Sequence, residues 1–518
     1  MVNRYCIRCF IYLYLYSLTK QKTPVMFSFQ KKHLYLILAL LSITASLRSQ
    51  SSFSITLKDS IYDDQVYDAI ELSNGQFIIA AMRTVQPNDY EAIIIKIDAQ
   101  GKLIHEKILR YNGQSSKLVS IVQLSENRFI LSGTTYTSGN IEMSGNFWLC
   151  TLDSSLNVVD EKNYDLGYKS PISKMILDSQ HNILIYGTVL DKNAPPYMAD
   201  EIMFIFKLTS VMDSLNFKTY YGAIFIGEDL IEKSDHKGYY FLAYSYYTFN
   251  GSFAHILDLE AGLSCKRTID IPLMIGDLGT IKLVDSTHFM ISAEELPAND
   301  SMSYKIGVLL YDTVFNLLHF REYGKADTND YPAVKSLDFS DATSVFIGGT
   351  SYVLPNEFSQ ADNWFRLNNI DTVINVKWER FYGGDGYYSL FGILATRDGG
   401  CLMYGTIWDF HNNPDQTRYL RLIKVSKDGL LSDENGKPRD KAKEVILYPN
   451  PGNDRIIVQT TLQGLTVSFF DVAGNCVAKK TIHSMVESLD VSELSTGIYF
   501  YRFTCGDKVI DCGKWIKK

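Results

Sequence analysis

Residues 387–431 read YYSLFGILATRDGGCLMYGTIWDFHNNPDQTRYLRLIKVSKDGLL. Three runs in this stretch, Ser389–Thr396, Cys401–Ile407 and Tyr419–Ser426, are rich in Ile, Leu, Val and Tyr and favour a pleated surface. Arg397-Asp398-Gly399-Gly400 reverses the chain after the first run, and Lys427-Asp428-Gly429 closes the third. Their glycines supply the positive φ that a tight reversal needs. A polar loop, His411-Asn412-Asn413-Pro414-Asp415, joins the second run to the third. The stretch predicts short antiparallel strands joined by turns.

The pattern recurs upstream. A small residue ends each second strand: Ala81, Gly133, Gly187, Ala293, Gly349 and Gly405, with Tyr244 aligned in the fourth copy. The intervals are 52, 54, 57, 49, 56 and 56 residues, averaging 54. Four of these positions continue as Gly-Thr, at 133–134, 187–188, 349–350 and 405–406. A period of this size signals a repeat architecture. Four short strands per unit with almost no helical periodicity select a β-propeller. Seven units of 54 residues need 378, and Ser52 to Leu431 is 380. The seventh unit lacks a fourth strand, whereas Ser52–Asp59 precedes the first unit unmatched. The N-terminal strand is therefore expected to complete the last blade of a seven-bladed ring. An open array, or six blades with an irregular insert, is the alternative.

The first 50 residues contain seven basic residues and no acid; the remainder holds 43 basic and 58 acidic residues, a net charge of −15. That balance argues against a surface that tracks phosphates and against nucleic acid as a partner. Lys31-Lys32 followed by the apolar run His33–Leu47 has the form of a secretory signal. The expected leader is Met26–Gln50, with Met26 the start and cleavage between Ser46 and Gln50; an uncleaved membrane anchor is the other reading. Of eight cysteines, Cys6 and Cys9 lie in this leader. Cys150, Cys265, Cys401, Cys476, Cys505 and Cys512 show no metal spacing and are expected to be mostly buried small hydrophobes. A Gly506-Asp507 turn would set Cys505 opposite Lys508 and Cys512 opposite Tyr501, too far apart to bridge.

Residues 432–444 (SDENGKPRDKAKE) form a charged linker, after which the repeat stops. Within 445–518, Ile456–Thr461, Leu465–Asp471, Gly497–Cys505 and Lys508–Ile516 read as strands of a small Ig-like β-sandwich. Three ordered motifs lie here: Leu447-Tyr448-Pro449-Asn450-Pro451-Gly452-Asn453-Asp454, Phe470-Asp471-Val472-Ala473-Gly474-Asn475, and Leu489-Asp490-Val491-Ser492-Glu493-Leu494-Ser495-Thr496-Gly497-Ile498-Tyr499. A basic end follows, Lys514-Trp515-Ile516-Lys517-Lys518. Together they resemble the type A C-terminal sorting domains of the bacterial type IX (Por) secretion system. The resemblance implies recognition of residues 445–518 by the type IX translocon. It also implies passage to the cell surface or beyond, commonly with removal of the domain. The residues it assigns a role are Tyr448, Pro449, Asn450, Pro451, Asp471, Gly474, Leu489, Leu494, Gly497 and Tyr499.

The propeller shows no G-x-S-x-G, H-E-x-x-H, phosphate-loop or EF-hand pattern. Trp408-Asp409 follows a second strand, and the period is too long for a WD repeat. Three features carry weaker hints. The aromatic run Tyr239–Phe253 is expected to pack between blades rather than stack on sugar. The acids Asp63-Asp64, Glu294-Glu295 and Asp327–Asp330 are expected to be solvated loop charge rather than glycosidase or calcium carboxylates. His411 and Asp415 are expected to form a polar turn. No catalytic residue, metal ligand or cofactor is assigned. The sequence predicts an exported, non-enzymatic binding protein that meets a glycan or protein through its blade-connecting loops. A secreted hydrolase or lyase acting at the channel mouth is the alternative, and a structural adhesion component is a second.

Overall fold

The structure is a computed structural model that describes residues 51–58, 62–86, 89–136, 145–169, 173–191, 201–220, 225–249, 252–273, 275–276, 278–296, 303–324, 329–353, 360–413, 417–431, 445–448, 451–460, 464–484, 486–506 and 508–518. The leader and the charged linker lie outside them, as do Pro449, Asn450, Asp327 and Asp415.

Antiparallel four-stranded sheets follow one another in chain order. Sheet I comprises Asp63–Glu71, Phe77–Gln86, Asp89–Ile97 and Leu103–Leu109. Sheet II comprises Ser115–Ser125, Arg128–Tyr136, Gly145–Asp153 and Val158–Tyr164. In sheet III, Tyr168–Lys169 and Ser173–Leu177 share the partner Ile183–Asp191, followed by Glu201–Leu208 and Ser214–Tyr220. Sheet IV runs Phe225–Glu232, Gly238–Phe249, Ser252–Glu260 and Cys265–Asp270; sheet V runs Thr280–Leu283, His288–Glu295, Lys305–Asp312 and Leu317–Tyr323. Sheet VI is Asn329–Asp338, Val345–Val353, Trp364–Ile370 and Val376–Gly383; sheet VII begins with Tyr387–Ala395, Cys401–Trp408 and Arg418–Val425. The first strand of the chain, Phe53–Leu57, pairs antiparallel with Arg418–Val425, from Phe53 opposite Lys424 to Leu57 opposite Leu420. The expected closing strand therefore takes its place on sheet VII. The succession is β-propeller-like.

Each hydrophobic core joins two consecutive sheets. Ile78, Ile94, Phe129 and Trp148 pack between sheets I and II, and Phe147, Ile185 and Phe204 between II and III. Phe53, Leu402, Tyr404 and Leu422 meet Val66, Phe77 and Ile95 between sheets VII and I. Middle strands are apolar on both faces because both are covered, while fourth strands such as Leu103–Leu109 are mostly exposed.

The Gly-Thr pattern has a physical cause. In sheets I, II, IV and VII the first strand carries a bulge, and at two of the Gly-Thr positions a carbonyl presses on the second strand: a Cβ at Gly133 would lie 2.0 Å from Lys117 O, and one at Gly405 would lie 2.1 Å from Ser389 O. The following threonine can bridge to the next sheet. Thr188 Oγ1 accepts from Gly227 N at 3.1 Å, and Thr350 Oγ1 accepts from Leu390 N at 2.9 Å. In sheet IV the bulge lies opposite Ala243, so Ala243 rather than Tyr244 is the fourth small residue.

A second device recurs at the turn between third and fourth strands. In Asp153–Asn157, Asp312–Asn316 and Asp371–Asn375 the aspartate accepts from the asparagine backbone and side chain. The fourth residue of the turn adopts positive φ: Leu156, Met212, Leu263, Phe315 and Ile374, with Gly101 and Gly429 at the equivalent positions. Large side chains rarely tolerate this conformation. Here each apolar one is seated in the core shared with the preceding sheet, and that burial offsets the strain. The preceding sheet also bonds the turn. Tyr220 Oη donates to Leu263 O at 2.8 Å, Tyr323 Oη to Ile374 O at 3.0 Å, and Tyr382 Oη to Gly429 O at 2.7 Å. Glycine stands where a ring fills the seat instead: Phe53 ring carbons would lie 2.7 Å from a Cβ at Gly101.

The C-terminal residues form a three-stranded sheet (Val445–Tyr448, Arg455–Thr460, Val486–Asp490) and a four-stranded sheet (Cys476–Ile482, Leu465–Phe470, Gly497–Cys505, Lys508–Lys517). Both contribute to one core around Phe469, Phe503 and Trp515. The alternation of Leu465, Val467 and Phe469 with half-buried Thr466, Ser468 and Phe470 is as the sequence predicts. A register shift between Phe503 and Thr504 places Cys512 opposite Arg502 rather than Tyr501; Cys505 is opposite Lys508 as expected. Of the six described cysteines only Cys150 and Cys401 are buried. Cys265, Cys476 and Cys512 sit on exposed outer strands, which corrects the expectation that most are buried.

Candidate functional site

Most of the described sorting-motif residues build the C-terminal unit itself. Leu489, Leu494 and Tyr499 lie in its core, with the Tyr499 ring 5.9 Å from Trp515. Tyr499 Oη donates to Ser495 O at 2.7 Å, and Leu494 N to Val491 O at 3.0 Å. Lys517 Nζ ties this turn to the last strand, bonding Val491 O at 2.8 Å and Asp454 Oδ1 at 2.7 Å. Asp471 accepts from Asn475 N at 2.8 Å and Nδ2 at 3.0 Å, while Gly474 supplies the positive φ of the turn. Those hydrogen bonds hold the Asp471 carboxyl below its usual range. Gly452, just past half-buried Pro451, bridges to Lys517. Gly497 opens a strand and has no close neighbour at its Cβ position.

Tyr448 behaves differently. Its hydroxyl donates to Phe381 O of sheet VI at 2.7 Å. Beside it Ile457 joins Trp364 and Phe381 in a separate cluster, with Tyr352 and Tyr448 packed against it. Arg455 Nη1 lies 3.0 Å from Asp362 Oδ2, and Asp362 Oδ1 lies 2.7 Å from His411 Nε2. His411 therefore pairs with Asp362, and its expected neighbour Asp415 falls outside the described residues. Sequence reasoning missed this contact. Its signal is Arg455-Ile456-Ile457-Val458, whose consecutive apolar residues require cover on both faces of one strand.

The acids expected to be solvated are largely buried. Asp64 lies in the interior, where Arg83 Nε and Nη2 donate to its two oxygens at 3.0 and 3.3 Å. Asp330 is equally buried, 3.5 Å from Arg366 Nη1, and Arg366 also bonds Glu379. Glu294 is buried as well. Arginines of the same sheets compensate Asp64 and Asp330, a pairing across 19 and 36 residues that local sequence does not display. Glu295 has a carboxyl pushed up to about 7 by burial and by neighbouring Glu322, which Lys305 Nζ contacts at 2.7 Å. The aromatic run beginning at Tyr239 behaves as expected where its side chains are described, with Tyr239, Tyr240 and Phe241 in inter-sheet cores.

First strands meet at the centre of the succession. Asp68 accepts from Ser120 Oγ and Ile121 N of sheet II, both at 2.9 Å, and lies 2.7 Å from Lys335 Nζ. Asp229 accepts from Tyr186 Oη at 2.6 Å and Ile281 N at 2.9 Å. The first strand of sheet VI leaves its register between Pro332 and Leu337. Its excursion contacts sheet I through Lys335, sheet III through Lys174 Nζ to Val334 O at 3.3 Å, and sheet V through Ser336 N to Thr280 Oγ1 at 3.0 Å. Lys335 also pairs with Gly392 of sheet VII. The central carboxylates are thus committed to holding neighbouring first strands together.

One constellation has the order of a nucleophile, a base and an acid. Ser245 Oγ lies 3.1 Å from His255 Nε2, and His255 Nδ1 lies 2.9 Å from Asp270 Oδ1, across three strands of sheet IV. Ser245 is 0% and His255 1% exposed, so no substrate carbonyl reaches the hydroxyl in this arrangement. Ser245 Oγ also lies 3.2 Å from Phe253 O, which marks the group as a tie between strands. Among the described residues, no group of three or more His, Cys, Asp or Glu is arranged to hold a metal ion.

An all-β, β-propeller-like succession of four-stranded sheets followed by a motif-built C-terminal unit defines the class. Residues 446–518 match the family described as a secretion system C-terminal sorting domain, and this segment is such a domain. A type IX sorting tail implies export to the cell surface or release. No helix among the described residues is long and apolar enough to cross a membrane. No curated protein matches the chain in sequence. Among solved structures, a Dyadobacter fermentans protein of unknown function is 8% identical, with 73% of this chain and 98% of that chain covered and a TM-score of 0.43. The β-propeller domain of the Trilobed protease from Pyrococcus furiosus is 9% identical, covering 73% and 99% at a TM-score of 0.40. A fungal alcohol oxidase in complex with copper is 10% identical, covering 91% and 100% at 0.41.

Proposed function

We propose that this chain is an exported, non-enzymatic binding protein. Residues 52–431 form a closed seven-bladed propeller, and residues 445–518 an Ig-like sandwich that the type IX translocon reads. The observation that carries the export reading is the sorting-domain match at 446–518. Ring closure draws support from the pairing of Phe53–Leu57 with Arg418–Val425 and from the core joining sheet VII to sheet I.

The ligand, a glycan or protein, meets the blade-connecting loops. The binding reading draws support from Asp64, Asp68 and Asp330, each of which is engaged in an ion pair. Deleting residues 445–518 should leave the propeller in the periplasm, and normal surface delivery of that truncation removes the export reading. A glycan array beside a panel of glycosidase and peptidase substrates tests the rest. Turnover lost in Ser245→Ala would replace binding by hydrolysis.

A further inference from the structure

We infer that the outer end of sheet VI is a docking surface for the chain's own sorting domain, which it holds in a reversible contact that covers Tyr448. The strand Arg455–Thr460 alternates between two surroundings. Ile456 and Val458 point into the sandwich core, whereas Ile457 is buried against Trp364 and Phe381. The seat is shaped for it: a Cβ at Gly384 would lie 2.3 Å from both Ile457 Cδ1 and Trp364 Nε1. Tyr352 flanks the seat, its ring 4.9 Å from that of Trp364. Two polar contacts fix the register, Tyr448 Oη to Phe381 O and Arg455 to Asp362.

The contact has the composition of a small interface rather than of a core. One aliphatic anchor sits in an aromatic pocket, with one hydrogen bond and one half-exposed ion pair at its edge. Trp364 Nε1 is buried without a hydrogen-bond acceptor among the described residues, so the contact gains no polar bond from this ring there. Such a contact opens without unfolding either side. That it covers part of an export signal rests on the sorting-domain reading. The packing itself does not, and a tail deletion that left export unchanged would remove only the former.

Hydroxyl-radical footprinting of the intact chain tests the dock, because it reads side-chain exposure directly. Trp148 and Trp515, buried in the propeller and sandwich cores, serve as internal references. In the native chain Trp364 should be nearly as protected as they are. Ile457→Asp should raise oxidation of Trp364 and Tyr448 about fivefold or more while Trp515 stays protected, as expected for a shift toward the open form. Gly384→Ala, whose methyl meets both Ile457 and the Trp364 ring at a positive φ, should raise oxidation of Tyr448, on the sandwich side, while Trp515 stays protected. If Trp515 is also exposed in Ile457→Asp, that variant has unfolded the sandwich and the Gly384→Ala result decides. Free oxidation of Trp364 and Tyr448 in the native chain overturns the proposal. So does unchanged protection of Tyr448 in Gly384→Ala.

Discussion

Phe53 offers the sharpest test of how the sheet succession closes. Its ring is 7% exposed, lies 6.0 Å from Phe77, and fills the seat above Gly101, while its backbone pairs with Lys424 some 370 residues away. Replacing a core phenylalanine by alanine costs ~3–5 kcal/mol, and an edge strand belongs at the lower end, about 3 kcal/mol. Gly101→Ala meets two penalties: a left-handed backbone at φ +82°, about 1–2 kcal/mol, and a collision with the Phe53 ring, about 1–3 kcal/mol. Only the first survives once Phe53 is alanine. The double variant should therefore be less destabilised than the sum of the singles by about 1–3 kcal/mol. Urea unfolding of the four proteins, followed by tryptophan fluorescence, gives the cycle. A Phe53→Ala cost below about 1 kcal/mol, or additivity within about 0.5 kcal/mol, refutes a closing strand seated on sheet I.

Asp371→Ala removes three hydrogen bonds at one inter-strand turn and should lower stability by about 1 kcal/mol, measurable by the same unfolding assay. Glu295 has its carboxyl raised from 4.5 to about 7, so between those values the folded chain holds a proton that the unfolded chain has released. Stability should therefore fall as pH rises through that window. Glu295→Gln should flatten the dependence of Tm on pH, and an unchanged slope refutes the assignment. With a thiol reagent, Cys265, Cys476 and Cys512 should react in the native chain; Cys150, whose thiol burial pushes up to about 12, and Cys401 should react only on unfolding.

The fold was legible because its signals are local or periodic. Alternating apolar runs, Gly-containing turns and a 54-residue interval are read from neighbours in sequence. The closing strand could be inferred because counting left one strand over at one end and one missing at the other. Side-chain partners were not legible. Asp64 reads as loop charge until Arg83 arrives on the next strand, and His411 finds Asp362 some 49 residues upstream. The excursion of Ala333–Ser336 across the centre has no local signature, since its partners lie on sheets I, III, V and VII. Alignment of the repeats puts Tyr244 at the fourth position, and the bulge that moves that position to Ala243 is a backbone event.

The seats between sheets impose an order on assembly. Leu156, Met212, Leu263, Phe315 and Ile374 each fit into a surface completed by the sheet before them, so a chain that emerges from its N-terminus always has the receiving surface ready when the next turn arrives. Among these seats every contact but one joins a sheet to its predecessor, which keeps loop-closure entropy low. The exception is Phe53. It can rest on Gly101 early, but its strand gains a hydrogen-bonded partner only when Arg418–Val425 appears, so the first residues to emerge are the last to be secured.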